Sequence, residues 1–267
     1  MNNLNQIEAI TKLAKKMRKV LLEVSLNCGE PAHIGGALSI IDIMATLYGN
    51  ILKLDIVKPI DRFILSKGHG FLGLLSALHC KGYIQKNELM KFQTNGSELI
   101  AHPIVNPKFG IESSNGSLGQ GLSFGAGIAI AYKKKKKEGS IFVLVGDGEC
   151  YEGAIWEAAI AATESNLNNL TAIIDCNGFQ NDGAINKNMN FDELKAKWQG
   201  FGWNTIVCDG HDISELLKVL KVKSSNKPNA IIAKTIKGKG VNFMENNNDW
   251  HHGRLTQKLF DEAIKDL

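Results

Sequence analysis

Hydrophobic and polar positions along the chain follow two spacings, one typical of helices and one typical of buried strands. From 1 to 24, apolar residues recur every three or four positions among lysines, which predicts an amphipathic helix. Further helices are predicted by the same spacing at 38–51, 71–80, 81–93, 122–133, 152–165 and 213–222. Strands are predicted by short apolar runs at 61–66, 140–145, 170–175, 203–208 and 230–235.

The predicted strands and helices alternate along the chain, which is typical of an α/β fold. The clearest unit is a strand at 140–145, a helix at 152–165 and a strand at 170–175, which together predict a βαβ unit with parallel strands. Because the strands are apolar on both faces, we expect a parallel sheet flanked by helices on both faces. No shift in composition divides the 267 residues, so we predict a single domain over 1–267.

The charge of the chain is close to balanced, with 31 Lys and Arg against 27 Asp and Glu. Much of the excess lies in the lysine run 133–137, which lacks interleaved aromatic residues, so we expect a solvated loop and no nucleic-acid partner. The five cysteines are widely spaced without a C-x-x-C pair, which argues against a disulfide framework and fits a reducing compartment. Neither a signal peptide nor a membrane-length apolar stretch is present, so we expect a cytoplasmic protein without a membrane partner.

Polar residues follow two neighbouring predicted strands, at the edge where parallel sheets bind their ligands. The sequence Gly146-Asp147-Gly148 ends one strand, and Asn177 follows the next. A carboxylate and an amide oxygen suit Mg²⁺ or Ca²⁺, and the helix that begins near Glu152 presents free N–H groups to an anion. We therefore hypothesise a metal-bound phosphate or diphosphate at this edge. The alternative is that the glycine-flanked aspartate forms a turn and that Asn177 is an ordinary cap.

Three histidines lie beside glycine or proline in predicted loops, and they are His33, His69 and His102. A single histidine is usually a cap or a gap filler, but three in such loops favour a polar pocket that binds oxygens and moves protons. His79 lies within a predicted helix, and we interpret it as structural. His211 and His251 fit either interpretation.

A nicotinamide dehydrogenase is an alternative, because residues 68–73 match G-x-G-x-x-G between a predicted strand and a predicted helix. The dinucleotide fingerprint needs a second strand that ends in an acid about 20 residues later. Residues 81–93 instead show helical spacing around Glu88, which counts against this alternative. The sequence holds no Walker lysine motif, G-x-S-x-G elbow or H-E-x-x-H, so nucleotide hydrolysis, serine hydrolysis and zinc-peptidase chemistry have no support.

Five segments occur in a fixed order, and they are HIGGALS at 33–39, RFILSKGHG at 62–70, His102-Pro103, GSLGQG at 116–121, and Gly146-Asp147-Gly148 with Asn177 thirty positions after the aspartate. As a set they resemble the amino-terminal part of transketolase, a thiamine-diphosphate enzyme. The later residues Trp250 to Arg254 resemble the family's histidine-glycine element, in which His252 is a better match than His251. The chain departs from the family where Pro31-Ala32 replaces serine-glycine and where Ser117 replaces a common proline.

The resemblance implies a thiamine-diphosphate-binding fold and roles for individual residues. Asp147, Asn177 and the carbonyl of Phe179 would hold a Mg²⁺ ion, or Ca²⁺ in its place, that bridges the diphosphate of the cofactor. The cofactor would be lined by His69, Gly116, Ser117, Leu118, Gly146, Asp147, Gly148, Asn177 and His252. His33 and His102 would face the sugar hydroxyls. The implied catalytic residues are His33, His69, His102 and His252.

The resemblance also implies a partner. Glu152 and Glu157 match acids that link paired active sites across the family's dimer, although both also fit as ordinary charges at a helix N-terminus. The pyrimidine-binding and carboxy-terminal domains of full-length transketolases are absent after Leu267, so we expect the amino-terminal subunit of a split transketolase. It would work in an α2β2 heterotetramer with a separately encoded C-terminal subunit that carries the pyrimidine-binding domain. Only with that partner would it transfer a two-carbon ketol unit between a ketose phosphate and an aldose phosphate.

Two related alternatives stay open. The first is a subunit of another thiamine-diphosphate enzyme, similar to deoxyxylulose-phosphate synthase. The segments at 66–70 and 116–121 favour transketolase over this alternative. The second is a non-catalytic protein that binds Mg²⁺ and diphosphate, and the presence of all the histidines counts against it.

Overall fold

The computed structural model describes residues 3–54, 60–185 and 191–267, and its centre is a five-stranded parallel sheet. Numbered along the chain, the strands are β1 Arg62–Leu65, β2 Ile141–Gly146, β3 Leu170–Cys176, β4 Phe179–Gln180, β5 Gly183–Ala184, β6 Asn204–Asp209 and β7 Asn229–Lys234. Within the sheet the strands stand in the order β1-β2-β3-β7-β6. β4 and β5 pair with each other as a short antiparallel hairpin.

Helices cover both faces of this sheet. They are α1 Asn3–Cys28, α2 Gly35–Leu38, α3 Ile41–Thr46, α4 Phe71–Cys80, α5 Lys86–Leu89, α6 Gln120–Lys134, α7 Gly153–Glu164, α8 Phe191–Gly200, α9 Ile213–Val219 and α10 Gln257–Asp266. On β2, Phe142 and Leu144 pack into the core that contains α1, α3, α4, α9 and α10. Val143 and Val145 point the other way, into the core that contains α6, α7 and α8. This alternation explains why the strands are apolar at successive positions and confirms the predicted α/β fold.

The predicted strands of the sheet are all confirmed, each to within one residue at either end. The predicted βαβ unit is β2, α7 and β3, with β2 and β3 parallel neighbours. Its register pairs Gly146 with Asp175, so the two strands end side by side. That placement brings the loops after them to the same edge of the sheet.

Two helix predictions and one loop prediction need correction. The segment 38–51 is not one helix but α2, α3 and a π-helical turn at Leu47–Ile51. The break follows Ser39, whose hydroxyl donates to the Gly36 carbonyl and to Asp175 on β3 instead of facing solvent. The segment 81–93 contains only the short α5, because Gly82 has a φ of 85° and ends α4 in a left-handed turn. The lysine run is only partly a loop, since Lys133 and Lys134 end α6, although all five lysines are exposed.

Two further features bear on the expectations. The β4–β5 hairpin was not predicted, because strands of two residues are too short to show a period. Among the helices of the described residues, none combines the length and the apolar composition needed to cross a membrane. The prediction of a single domain over 1–267 stays a prediction.

Candidate functional site

Loops from four strands meet at the carboxyl edge of the sheet and enclose a cavity of about 260 Å³. Most of the predicted cofactor and metal residues line this cavity, and they are His69, Leu118, Gly146, Asp147, Gly148, Asn177 and Phe179. Gly148 lies where the chain passes close to β4, because a Cβ atom there would come within 2.9 Å of the Gln180 Cβ. Gly116 and Ser117 are exposed residues of the loop that leads to Leu118. The structure therefore brings the predicted residues from distant segments to one place.

Asp147 follows β2 and is almost fully buried. Its Oδ1 accepts a hydrogen bond from the Gly148 N–H at 2.8 Å, and its Oδ2 accepts one from the Gly178 N–H at 2.6 Å. Burial, together with the nearby carboxylate of Asp175, raises the pKa of Asp147 to about 7. A carboxylate with this environment gains stability from a bound cation.

The turn after Asp147 is held by an aromatic side chain. This turn, Gly148–Tyr151, precedes α7, and Trp156 of α7 donates its Nε1–H to the Cys150 carbonyl at 2.9 Å. The Trp156 ring also stacks on Phe201, with 5.1 Å between the ring centroids. The orientation of the turn is therefore fixed by the core that contains α6, α7 and α8.

Asn177 is fixed by bonds on both sides of its amide. Its Nδ2 donates to the Asp175 Oδ2 at 2.8 Å, and its Oδ1 accepts from the Phe179 N–H at 3.0 Å. The Oδ1 atom has room for a second partner, since a carbonyl oxygen has two lone pairs. The amide therefore offers an oxygen, and not a nitrogen, on the side of the Phe179 backbone.

Asp175 is a fully buried carboxylate that the sequence analysis passed over. It accepts hydrogen bonds from four side chains, which are Ser39, Lys67, Asn177 and Thr235. The Lys67 ammonium lies 2.5 Å from it and is itself 1% exposed. Burial alone would raise the pKa of Asp175, but Lys67 and the other donors lower it, so the carboxylate is charged. The signal in the sequence was an acid within the otherwise apolar run of β3.

The donor set fits a hard divalent cation. Asp147 supplies a carboxylate oxygen and Asn177 an amide oxygen, which are ligands that Mg²⁺ and Ca²⁺ prefer. In the described ranges 3–54, 60–185 and 191–267, no group of three or more His, Cys, Asp or Glu side chains could hold a metal. A metal at Asp147 would therefore complete its shell with backbone, water and the oxygens of a bound anion. Lys67 and Lys237 lie on the same cavity and suit such an anion.

Lys237 was not predicted, although it lies in a Lys-Gly-Lys-Gly sequence soon after β7. Its Nζ donates to the Asn248 Oδ1 at 2.6 Å and to the His251 Nδ1 at 2.9 Å. Burial, together with the charge of Lys67, lowers the pKa of Lys237 to about 8. A partly desolvated cation therefore faces the cavity beside the oxygens of Asp147 and Asn177.

The histidines form one cluster around His33. The ring centroids of its neighbours lie between 4.6 and 5.9 Å away, and these neighbours are His252, His102, His251 and His69 in order of distance. Burial, together with the neighbouring His252 and His251, lowers the pKa of His33 to about 3. Burial also lowers the pKa of His69, and that of His251 to about 4. At neutral pH these three rings are uncharged and can both donate and accept hydrogen bonds.

The two late histidines take different places. His251 lines the cavity with Asp147 and bonds Lys237, whereas His252 lies nearest to His33, 4.6 Å between ring centroids. The contact of His252 arises from a backbone bridge, in which the Ala32 and Gly253 amides each donate to the other's carbonyl at 3.0 Å. His33 therefore lies beside His251 and His252 even though Pro31-Ala32 replaces the family's serine-glycine.

Glu149 is a second buried carboxylate that was not predicted. Its Oε1 accepts hydrogen bonds from the Ser66 hydroxyl at 2.5 Å and the Gly119 N–H at 2.8 Å, and its Oε2 accepts from the Gly146 N–H at 3.0 Å. It thereby ties the glycine loop 116–121 to the ends of β1 and β2. Burial raises its pKa.

Four other residues complete the account of the predictions. Glu152 borders the cavity and Glu157 lies one turn further along α7, and both are exposed. His79 is bonded through Nδ1 to the Ile84 carbonyl at 2.8 Å, in keeping with a structural role. His211 is bonded between Asp42 and the Ile236 N–H, away from the cavity.

The dinucleotide interpretation of residues 68–73 is not supported by the fold. Gly68 is required by the approach of another loop, because a Cβ atom there would lie 2.2 Å from the Asn115 carbonyl oxygen. After α4 the chain forms α5, and not the acid-ending strand that a dinucleotide site needs. The glycines therefore serve loop packing beside His69.

Comparison with known proteins identifies similar chains. The profile of the family described as "Transketolase, thiamine diphosphate binding domain" matches residues 10–266. The chain is 36% identical over 268 residues to an apulose-4-phosphate transketolase subunit of Phocaeicola vulgatus, covering 98% of this chain and 95% of that protein. It is also 36% identical over 260 residues to the 6-deoxy-6-sulfo-D-fructose transketolase subunit SqwG of Clostridium sp., covering 95% of this chain and 94% of that protein.

Solved structures agree with these relatives. Transketolase from Campylobacter jejuni superposes with a TM-score of 0.86 at 28% identity, over 98% of this chain and 43% of that one. Transketolase from Leishmania mexicana gives a TM-score of 0.86 at 26% identity, over 95% of this chain and 40% of that one. The chain thus spans about two fifths of the length of these solved transketolases.

Proposed function

The chain belongs to the transketolase family, and from this premise we propose that it is the diphosphate-binding subunit of a transketolase built from two separate polypeptides. With its partner it would transfer a two-carbon ketol unit from a ketose phosphate to an aldose phosphate. The observation that carries the proposal is the position of Asp147 and Asn177 on one cavity with His69 and His251, beside the rest of the histidine cluster. A non-catalytic diphosphate-binding protein has no need of these histidines.

In this proposal the cavity at the carboxyl edge holds Mg²⁺ and the diphosphate of thiamine diphosphate. Asp147, Asn177 and the Phe179 carbonyl would bind the metal, and Lys237 would contribute positive charge toward the diphosphate. Gly148 and Leu118 would line the cofactor because they lie on the same cavity. When bound, thiamine diphosphate supplies the carbanion chemistry that ketol transfer requires.

The histidines would handle the sugar. His33 and His102 are proposed to donate hydrogen bonds to sugar oxygens, since an uncharged imidazole can donate through one nitrogen and accept through the other. His69 and His252 adjoin His33 and would hold or pass a proton near the reacting carbon. The low pKa of His33 favours hydrogen bonding to the sugar, because the ring keeps an unprotonated nitrogen at neutral pH.

A partner subunit is proposed because relatives of the same length are called subunits and solved transketolases are longer. Apolar side chains that a partner would cover are exposed at Tyr151, which borders the cavity, at Phe124 on α6 and at Ile160 on α7. α6 and α7 pack against each other, so these side chains belong to one side of the molecule. The partner would carry the pyrimidine-binding domain in an α2β2 heterotetramer, and the cytoplasm is the proposed location.

The test is native mass spectrometry of the chain purified gently from its own cells with Mg²⁺ and thiamine diphosphate present. We expect a complex that contains a second polypeptide and bound cofactor. The complex is then assayed for ketol transfer with a panel of ketose and aldose phosphates, to which apulose 4-phosphate and 6-deoxy-6-sulfo-D-fructose are added because relatives are named for them.

Other outcomes would contradict the proposal in different ways. A lone chain or a homo-oligomer without cofactor would favour a non-catalytic protein. A cofactor-loaded complex that condenses pyruvate with an aldose phosphate, and shows no ketol transfer, would favour the deoxyxylulose-phosphate-synthase-like alternative.

A further inference from the structure

The segment 235–239, which follows β7 and carries Lys237, is held at both ends by one hydrogen-bonded chain of largely buried side chains. At one end, the Ile236 N–H donates to the Nε2 of His211 at 2.9 Å. At the other end, the Nε–H of Arg18 donates to the Lys239 carbonyl at 3.1 Å. His211 and Arg18 are joined through Asp42, which lies on α3.

We propose that Arg18, Asp42 and His211 form a clamp that positions Lys237 for the diphosphate without touching the ligand. The proposal rests on the proposed function, because it assigns Lys237 a diphosphate partner. None of the three clamp residues lines the cavity at the carboxyl edge. They are positioning residues that act through the backbone on either side of Lys237.

The hydrogen bonds of the clamp determine which ring nitrogen of His211 carries the proton. A backbone N–H can only donate, so the Nε2 that accepts from Ile236 carries no proton. The proton is therefore on Nδ1, which donates to the Asp42 Oδ2 at 2.8 Å. The other bonds of Asp42 come from Arg18, with NH1 at 3.0 Å from Oδ1 and NH2 at 2.5 Å from Oδ2. Such a two-pronged contact fixes the carboxylate plane and hence the histidine ring.

The backbone between the clamped ends leaves little freedom. Gly238 has a φ of 80°, and a Cβ atom there would lie 2.1 Å from the Met244 carbonyl oxygen. Its N–H donates to the Gly35 carbonyl at 2.9 Å, and the Lys237 carbonyl accepts from the Asn246 N–H at 2.9 Å. With the backbone fixed, the Lys237 ammonium is directed to Asn248 and His251. A lysine that is ordered before the ligand arrives loses less entropy on binding.

A purely structural role for this network makes a different prediction. If the network were only structural, removing one of its members would lower stability and leave the Lys237 side chain unchanged. The clamp instead predicts that the Lys237 side chain is acetylated faster when His211 is replaced by a residue without its hydrogen bonds. The test therefore follows Lys237 directly as well as ligand affinity.

The test uses the full chain in three variants. His211→Phe removes both hydrogen bonds, whereas His211→Gln keeps an acceptor for the Ile236 N–H and a donor for Asp42. His79→Phe is the matched control, because it removes one histidine-to-backbone bond on α4, away from the cavity. Two readouts are taken: affinity for Mg²⁺ with inorganic pyrophosphate by calorimetry, and the acetylation rate of Lys237 by mass spectrometry, with the equally buried Lys67 as internal reference.

We expect His211→Phe to weaken pyrophosphate binding about tenfold, the scale of one charge-assisted contact, and to speed Lys237 acetylation several-fold relative to Lys67. His211→Gln should return both readouts to within about threefold of the wild type, and His79→Phe should alter neither. If His211→Phe does not fold, Asp42→Asn keeps the shape of the network and should raise Lys237 acetylation in the same direction.

Two negative results have different meanings. Wild-type acetylation of Lys237 in His211→Phe or Asp42→Asn would overturn the clamp. Failure of the wild-type chain to bind Mg²⁺-pyrophosphate would count against the proposed function, while the acetylation rates would still decide whether the clamp positions Lys237.

Discussion

The two edges of the central sheet both have cavities, but the cavities differ in what lies around them. At the amino edge, where the strands begin, a cavity of about 670 Å³ is bordered by Lys53, Lys137, Asn168 and Asn229. The cavity at the carboxyl edge measures about 260 Å³ and is bordered by buried charges. The smaller cavity is the one with Asp147, His69 and His251, so volume alone does not identify the candidate functional site.

The direction of the helices explains the difference. The helices that follow strands in a parallel sheet begin at its carboxyl edge, where α7 begins at Gly153 just after the loop of Asp147. Their free N–H groups favour anions there, whereas their free carbonyls at the amino edge favour cations. Lys133 shows the second case, because its Nζ donates to the carbonyls of Ser165 and Asn166 at the end of α7. Lys133 therefore serves a helix end.

The largest expected effect separates a buried charge from an exposed one. Lys67→Met leaves Asp175 charged and without its ion-pair partner, so the free energy of unfolding should fall by about 3–5 kcal/mol. Lys53→Met, at the exposed amino edge, should change it by less than about 0.5 kcal/mol. Urea denaturation measures both. Equal losses of unfolding free energy in Lys67→Met and Lys53→Met would contradict the view that only the carboxyl edge depends on a buried ion pair.

The next effect compares an aspartate at each edge. Asp147→Ala should weaken Mg²⁺-dependent binding of thiamine diphosphate by about 100-fold, because it removes the proposed carboxylate ligand. Asp61→Asn is the control, since Asp61 is buried at the amino edge and accepts from the Lys53 and Ser140 amides. Its variant should lose stability but bind the cofactor normally. Unchanged binding in Asp147→Ala would refute the metal assignment.

The histidine cluster predicts a pH effect at the carboxyl edge. The pKa of His33 is about 3 in the folded chain against 6.5 ordinarily, so the unfolded chain binds more protons at intermediate pH. Stability should therefore fall as pH decreases from about 6.5 toward 3, by about 1 kcal/mol for His33 after solvent screening. His33→Asn should reduce this loss, whereas His79→Asn should not. Thermal melts between pH 4 and 7 measure it, and identical pH slopes would contradict the prediction.

The smallest effect belongs to the amino edge itself. Lys133→Met removes a cation from the end of α7 and should lower the free energy of unfolding by about 0.3–1 kcal/mol, less in high salt. Lys136→Met, from the same exposed run, provides the control. Cofactor binding should be unchanged in both. A loss of binding in Lys133→Met would show that the lysine run takes part in the site.

The sequence sufficed for the strands because an uninterrupted apolar run marks a strand that is buried on both faces. Asp147 and Asn177 could be placed for a related reason, since residues after neighbouring parallel strands share one edge. The histidines were grouped by their glycine and proline neighbours and by the family resemblance. Their actual contacts depend on backbone pairing such as that of Ala32 with Gly253.

The missed features depend on contacts between distant residues. Lys67, Glu149 and Lys237 are charged residues of loops, and a charge in a loop normally indicates an exposed position. Their burial follows from partners far away in the chain, as with Lys67 and Asp175, which lie 108 residues apart. The break in the predicted helix 38–51 has the same origin, because Ser39 bonds Asp175 across 136 residues. Hydrophobic spacing is local and does not contain this information.

The attachment of Trp156 to the turn after Asp147 gives the protein a built-in optical probe. Its indole N–H is bonded to the Cys150 carbonyl, and its ring lies 5.4 Å from that of Trp198, close enough for excitation to pass between the two indoles. Trp203 lies 4.8 Å from Trp198, so emission from these three indoles reports in part on the geometry of this turn. A ligand that orders the turn should change the fluorescence without any label, so that binding at this cavity can be followed in real time.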